Sequence, residues 1–112
     1  MLSTELDINP LTPFIGAQIN GVDLRCSDQV LIGQIQNVLQ QYSVVFFRDQ
    51  PALSPAEHSA LANAFGPIHV HPAAPRGSDF PGVLKIEARR DTKVAAGNRW
   101  HSDVSCEPEP PY

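Results

Sequence analysis

The sequence has few basic residues and no long apolar run, and each shortage excludes a class of partner. Lys and Arg total 8 against 12 Asp and Glu, which gives a formal net charge of −4 over 112 residues. Nucleic-acid binding calls for clustered Lys and Arg, and the one such cluster is Arg89-Arg90. No apolar stretch approaches the roughly 20 residues that a membrane-spanning helix needs. Neither nucleic acid nor a membrane is therefore expected as a partner.

The sequence also has little cysteine. Cys26 and Cys106 lie far apart, without the CxxC or Cys/His spacing of a metal site, and are expected to be free thiols. Free thiols are typical of a reducing compartment, and the first residues lack the basic and apolar regions of a secretory signal. A cytoplasmic protein is therefore predicted. Glycine-rich phosphate loops and serine or cysteine nucleophile motifs are absent from the sequence as well.

The first half of the chain predicts strand, helix and strand in that order. Apolar residues alternate with polar or small ones from Phe14 to Leu24, which favours a strand. Ser27 is a candidate N-cap for a helix with one apolar face over about four turns. The members of that face are Val30, Leu31, Ile35, Val38, Leu39 and Tyr42. The apolar run 44–47 then predicts a buried strand.

A second helix has a clear start signal. Ser54 is a candidate N-cap, Pro55 suits the first helical position, and Glu57 can complete a capping box. Gly66-Pro67 predicts the end of this helix, with Leu61, Ala64 and Phe65 on its apolar face. Three later runs predict strands, namely 68–71, 83–87 and 100–104. This order indicates an α+β fold, in which two outer helices pack on an incomplete sheet.

His101 and Asp103 are the first candidates for chemistry. Two residues apart on a strand, they would project from one face and could reach one metal ion. An imidazole and a carboxylate suit Fe(II), and a set of two histidines and one carboxylate leaves positions open for a cosubstrate and O2. Taken alone, so short a pattern favours a strand that merely carries a surface His and Asp. Trp100 alternates to the opposite face and is expected to pack in the core.

Three interpretations stay open for His69 and His71, which are a second same-face pair. They are a metal-binding pair, a contact for an acidic substrate group, or two half-exposed strand residues. Without further context the last is favoured. His58, on the second predicted helix, is expected to face solvent.

Five segments of the chain occur in the order and spacing of one known family. They are PLTPFIGAQINGVDL from residue 10, VVFFRDQ from 44, LANAFG from 61, IHVHP from 68 and WHSDV from 100. Through these segments nearly the whole chain, residues 5–112, resembles the taurine dioxygenase family. This family includes chlorophenoxyacetate dioxygenases and alkylsulfatases.

The resemblance implies a double-stranded β-helix, or jelly roll, with helices packed outside it. Residues 1–112 would be the N-terminal portion of a single dioxygenase domain. It also implies Fe(II), 2-oxoglutarate and O2, with 2-oxoglutarate decarboxylated to succinate as the substrate is hydroxylated. His101 and Asp103 fall on the family's HxD metal ligands. His71 falls on a histidine that contacts the substrate sulfonate in the taurine enzyme.

Two positions depart from the taurine enzyme. Ala74 stands where that enzyme has a tyrosine, three residues after the histidine that matches His71. Gly97 stands where it has an asparagine, four residues before the histidine that matches His101. Both changes remove polar groups and enlarge the substrate pocket. A small acidic substrate larger than taurine is therefore expected, bearing a sulfonate, a sulfate ester or a carboxylate.

The family's remaining histidine ligand and its 2-oxoglutarate-binding arginine are expected beyond residue 112, so the 112 residues alone are expected to be inactive. Two other interpretations stay open. One is a non-catalytic zinc module, in which a closed tetrahedral site is formed by His69, His71, His101 and Asp103. The other is a degenerate fragment that folds only with a partner chain. The oligomeric state is also open, including a homo-oligomer of the full-length protein.

Overall fold

The computed structural model describes residues 5–72, 74–94 and 97–111. The chain divides into two compact units, the first ending at Pro67 and the second beginning at Ile68. Every helix and strand of the described residues belongs to the first unit. These elements are β1 (Asp7–Pro10), β2 (Ala17–Asn20), a 3-10 helix (Leu24–Cys26), α1 (Gln29–Tyr42), β3 (Val45–Phe46) and α2 (Pro55–Phe65). The first unit is therefore α+β, as predicted.

The sheet of the first unit has three strands in the order β1-β2-β3. β1 pairs antiparallel to β2, with Ile8 opposite Ile19, whereas β3 pairs parallel to β2, with Ala17 opposite Val45. The strand predicted from Phe14 to Leu24 is therefore confined to β2. β1 was not predicted, because Asp, Asn and Pro disfavour strands in isolation and this strand depends on its pairing with β2.

α1 begins one residue later than predicted. The Asp28 carboxylate accepts a hydrogen bond from the Leu31 N–H at 2.8 Å and is the N-cap, whereas the Ser27 hydroxyl donates to the Leu24 carbonyl. The helix buries Ile32, Ile35 and Val38.

The predicted apolar face of α1 is only partly correct. Val30 is 71% exposed, although it was predicted to lie on that face. It sits about 200° around the helix from the buried Ile32, at 100° per residue, and so points away from the sheet. Ile35 and Val38 were predicted correctly, and they pack with Ala17 and Ile19 of β2 to form the core.

β3 is an edge strand in the described part of the sheet, since it pairs only with β2. The strand predicted over 44–47 was expected to be buried, and this part of the prediction is wrong. Phe46 is 44% exposed, and Val45 and Phe47 are only half-buried against the core. An apolar run does not by itself distinguish a central strand from an edge strand.

The predicted start of α2 is confirmed. Ser54 is the N-cap, Pro55 is the first helical residue, and Ser54 and Glu57 exchange the two hydrogen bonds of a capping box. The bonds from the Ser54 backbone N–H and hydroxyl lower the pKa of Glu57 below its ordinary value of 4.5. A lowered folded-state pKa means that this stabilisation is fully present above pH 4.5 and is lost as the pH falls through the lower value. Because α2 has no fully buried residue, the hydrogen bonds of the capping box at its N-terminus are important for its stability.

Ser54→Ala is expected to lower the free energy of unfolding by about 1 kcal/mol, because it removes the acceptor for the Glu57 N–H. Urea denaturation at pH 7 measures this loss. Ser59→Ala, in the middle of the same helix, should change stability by less than about half of that. Equal losses in the two variants would contradict a role for the cap.

The second unit contains no helix or strand among its described residues. The strands predicted over 68–71, 83–87 and 100–104 are therefore wrong. A strand exists through hydrogen bonds to a neighbouring strand, which periodicity cannot supply. The backbone bonds found here close turns instead, such as Val83 N–H to the Phe80 carbonyl and Glu107 N–H to the Val104 carbonyl. In the described part of the chain, no helix has the length and apolar character to cross a membrane.

Candidate metal half-site

His101 and Asp103 lie together in the second unit, although the strand that was expected to align them is absent. His101 Nε2 is 3.2 Å from Asp103 Oδ1. Asp103 begins a turn that continues through Val104, whose φ of 47° is left-handed. The side chains of His101 and Asp103 therefore lie close together beside a turn, and not through the alternation of a strand.

The other nitrogen of His101 is held by the backbone. Nδ1 lies 2.5 Å from the carbonyl oxygen of Arg99. Because a carbonyl oxygen only accepts hydrogen bonds, Nδ1 must carry the proton in this contact. In the neutral imidazole, Nε2 then presents its lone pair to the Asp103 carboxylate.

Two acceptor atoms at 3.2 Å repel each other, and the repulsion is relieved either by a proton on Nε2, which makes the contact an ion pair, or by a metal ion that both atoms bind. A metal ion satisfies both, and a ligating histidine commonly donates its other N–H to a carbonyl or carboxylate. The donor set of one imidazole nitrogen and one carboxylate therefore fits a divalent metal such as Fe(II).

The pair is open to solvent: the side chains of His101 and Asp103 are 52% and 92% exposed. It borders an open concavity of about 670 Å³. The lining residues are Gly97, Asn98, Arg99, Trp100, His101 and Asp103. Trp100 is fully exposed, so the prediction that its indole packs in the core is wrong. Without a strand there is no opposite face to direct the indole inward.

Gly97 lies directly beside the His101 ring. Its φ is +78°, and a Cβ built on it would be 3.6 Å from His101 Cε1. Any side chain at position 97 would therefore contact the imidazole. Gly97 was predicted as a substrate-pocket residue, and the geometry brings it to the metal half-site.

The other predicted substrate residues lie elsewhere in the second unit. His71 accepts a hydrogen bond through its carbonyl from the Ala74 N–H at 2.8 Å, and both residues are half-buried. Neither lines the concavity beside His101. The proximity of His71 and Ala74 to the half-site thus stays a prediction.

The four residues of the alternative zinc module do not converge. His69, His71, His101 and Asp103 all lie in the described ranges, and no group of three or more His, Cys, Asp or Glu side chains there could hold a metal. The closed tetrahedral site is not formed in this structure.

Two further predictions, on the cysteines and on His58, are confirmed. Cys26 and Cys106 are free and exposed, as the cysteine spacing predicted. His58 is exposed on α2, which is also confirmed.

Arg99 and Trp100 also line the concavity beside His101, and the sequence did not indicate this. A basic residue two positions before His101 was a usable signal, because such residues share a face in extended backbone. The Arg99 carbonyl, by contrast, could not be identified as a histidine partner from residue types.

The chain matches the family described as "Taurine catabolism dioxygenase TauD, TfdA family" over residues 7–112. The chain belongs to this family, as its five segments predicted.

Three relatives illustrate the similarity. An alkylsulfatase of Acinetobacter baylyi is 34% identical over 104 residues, covering 90% of this chain and 31% of the relative. An alpha-ketoglutarate-dependent sulfate ester dioxygenase of Pseudomonas putida is 31% identical over 102 residues, covering 90% of this chain and 33% of the relative. The crystal structure of a taurine dioxygenase from Burkholderia xenovorans is 29% identical, with a TM-score of 0.71, covering 96% of this chain and 38% of that one. The chain thus spans about a third of the length of the curated relatives it matches.

Proposed function

We propose that this chain is the N-terminal part of an Fe(II)- and 2-oxoglutarate-dependent dioxygenase that hydroxylates a small acidic substrate. The observation that carries the proposal is the His101–Asp103 pair, with Nε2 and Oδ1 3.2 Å apart and Nδ1 committed to the Arg99 carbonyl. Membership of the TauD, TfdA family supports the reaction class. The single dioxygenase domain would be a jelly roll that the remainder of the protein completes.

In this proposal His101 and Asp103 supply two of the iron ligands. The Arg99 carbonyl holds the imidazole in the tautomer that leaves Nε2 free for the metal. The bound iron supplies the redox chemistry that couples 2-oxoglutarate decarboxylation to substrate hydroxylation with O2. The third protein ligand and the 2-oxoglutarate anchor are expected beyond residue 112, so the 112 residues alone are expected to be inactive.

The proposed substrate is a sulfate ester, sulfonate or carboxylate larger than taurine. Gly97 supports this size preference, because the absence of a side chain leaves space against the His101 ring. His71 and Ala74 are proposed to complete the substrate pocket. Similarity to an alkylsulfatase and to a sulfate ester dioxygenase supports an acidic substrate. The free thiols of Cys26 and Cys106 support a cytoplasmic location.

Succinate formation by the full-length protein tests the reaction. We expect succinate to appear only when Fe(II), 2-oxoglutarate, O2 and an acidic substrate are all present. Hexyl sulfate, hexanesulfonate and phenoxyacetate should each be compared with taurine at equal concentration. Absence of any 2-oxoglutarate-dependent turnover would contradict the reaction class, whereas preferred turnover of taurine would contradict only the proposed substrate size.

Gly97→Asn is expected to lower the ratio of kcat/KM for hexyl sulfate to that for taurine by about tenfold, the scale of a small change in pocket volume. The added side chain would occupy the space beside His101 Cε1. Asn tolerates positive φ better than most residues, so the backbone at φ +78° should persist.

Gly77→Asn is the matched control for this prediction. Gly77 also has a positive φ, +83°, but nothing lies within 4 Å of a Cβ built on it. The control should leave the ratio of the two kcat/KM values within twofold. A ratio that is unchanged in the Gly97 variant, or equally changed in both variants, would contradict the assignment of Gly97 to the substrate pocket.

A further inference from the structure

Gly82 lies in close contact with Ile68 within the second unit. A Cβ built on Gly82 would overlap the Cγ2 methyl group of Ile68, and it would lie 3.6 Å from Ile68 Cβ and 3.9 Å from Ile68 Cδ1. None of the other described glycines is so crowded. Close approach of this kind is one of the reasons for which a chain uses glycine. Position 82 therefore admits no side chain as long as Ile68 keeps its place.

The backbone conformation of Gly82 does not itself require glycine. The sequence Pro81-Gly82 is typical of a type II turn, in which the glycine has a positive φ. A turn is present, since the Val83 N–H donates to the Phe80 carbonyl at 2.9 Å, but the φ of Gly82 lies outside the left-handed region. The space that Ile68 occupies is therefore the feature of this structure that excludes a side chain at position 82.

The contact closes the stretch of chain that carries His71. Ile68 precedes this stretch and Gly82 follows it. Ile68 is half-buried and β-branched, so rotation about its χ1 angle is restricted and its Cγ2 methyl group does not move aside freely. Holding the two ends of a loop together limits the conformations of the residues between them. His71, three residues after Ile68, is therefore restrained by the same contact.

We propose that Gly82 is a positioning residue of the substrate site. Its lack of a side chain lets the turn 80–83 pack on Ile68, and this packing fixes the segment from which His71 contacts the acid group of the substrate. The inference rests on the proposed function and deepens it, because Gly82 acts through Ile68 and does not touch the substrate. Gly82→Ala would place a methyl group where Ile68 Cγ2 lies, so either Ile68 or the turn must move.

Steady-state kinetics of the full-length protein with hexyl sulfate test the inference. We expect Gly82→Ala to raise KM for hexyl sulfate about tenfold, because small displacements of a contacting group are costly, and to leave kcat within about threefold. The visible absorption of the iron–2-oxoglutarate complex should be unchanged, since the metal half-site takes no part in the contact between Gly82 and Ile68.

Gly33→Ala is the matched control for this substitution. A Cβ built on Gly33 meets nothing within 4 Å, and the φ of Gly33 also lies outside the left-handed region. The same methyl group is therefore added without a clash. This variant should leave both KM and kcat for hexyl sulfate within about twofold of the values of the unsubstituted protein.

Two double variants separate the proposed route from general damage. With Ile68→Ala, a Cβ at position 82 would lie 3.6 Å from the Cβ of residue 68, which is an ordinary van der Waals separation. Adding Gly82→Ala to Ile68→Ala should therefore change KM by less than about twofold. Adding it to His71→Ala should also change KM by less than about twofold, because the side chain that it displaces is already absent.

An unchanged KM for hexyl sulfate in Gly82→Ala would overturn the inference. So would an equal rise in Gly33→Ala, or a tenfold rise that persists when Ile68→Ala or His71→Ala is already present. Loss of the iron–2-oxoglutarate absorption in Gly82→Ala would indicate damage to the whole site and would also overturn it. If the unsubstituted protein turns over hexyl sulfate and Gly82→Ala does so equally well, only this inference fails. If the unsubstituted protein shows no 2-oxoglutarate-dependent turnover, the proposed function fails, and the inference fails with it.

Discussion

Asp103→Asn is expected to abolish the iron-dependent turnover of the full-length protein. The variant keeps the size of the side chain but removes the negative charge that lies 3.2 Å from His101 Nε2. Loss of a partner that only supports a metal ligand typically costs 10- to 100-fold in metal affinity or activity, so loss of a ligand should cost more. We therefore expect kcat/KM, measured as succinate release, to fall by more than about a hundredfold.

Ser102→Ala is the control for this variant, because Ser102 lies between the two proposed ligands and its side chain is exposed. It should keep kcat/KM within about threefold, since an exposed hydroxyl without a role contributes little. If the Asp103→Asn variant kept a kcat/KM above a tenth of that of the unsubstituted protein, the result would contradict a role of Asp103 as an iron ligand.

Ile35→Ala is expected to lower the free energy of unfolding by about 2–5 kcal/mol. Ile35 is 1% exposed and packs against Ala17, Ile19 and Val38. Truncation removes buried methyl groups and leaves a cavity that so small a core closes only in part. Urea denaturation of the protein, followed by far-ultraviolet circular dichroism, measures the loss.

Val30→Ala provides the comparison within the same helix. Val30 is 71% exposed, so its truncation should change stability by less than about 0.5 kcal/mol. A loss at Val30 as large as that at Ile35 would contradict the observed orientation of α1, in which Ile32, Ile35 and Val38 are buried.

Features that depend on neighbouring residues could be predicted from the sequence. The capping box of Ser54 and Glu57 requires only residues three apart, and it is present as predicted. The start of α1 shows the limit of such local signals. Ser27 and Asp28 are both good N-caps, and the Ser27 hydroxyl is taken by the Leu24 carbonyl, which leaves the role to Asp28.

Features that depend on distant residues could not be predicted. The side-chain amide of Gln50 accepts from the Leu24 N–H and donates to the Val22 carbonyl, 26 and 28 residues away. No periodicity in the sequence indicates this pairing. For the same reason, the runs 68–71, 83–87 and 100–104 were predicted as strands on their alternation alone, although a strand also needs a partner.

The candidate site includes both a feature that the sequence predicted and a feature that it could not predict. The sequence predicted that His101 and Asp103 would meet, but it did so through a strand that is absent. Their approach occurs instead beside a turn, and the tautomer of His101 depends on a backbone carbonyl at Arg99. Spacing and resemblance therefore indicated the pair, whereas the contact between His101 Nδ1 and the Arg99 carbonyl could not be predicted from residue types.

Anaerobic addition of Fe(II) and 2-oxoglutarate to the full-length protein tests most directly whether His101 and Asp103 bind iron. We expect a weak visible charge-transfer absorption in the unsubstituted protein and in Ser102→Ala. The absorption should be lost in Asp103→Asn and in His101→Gln. An absorption of undiminished intensity in both of these variants would contradict the assignment of His101 and Asp103 as iron ligands.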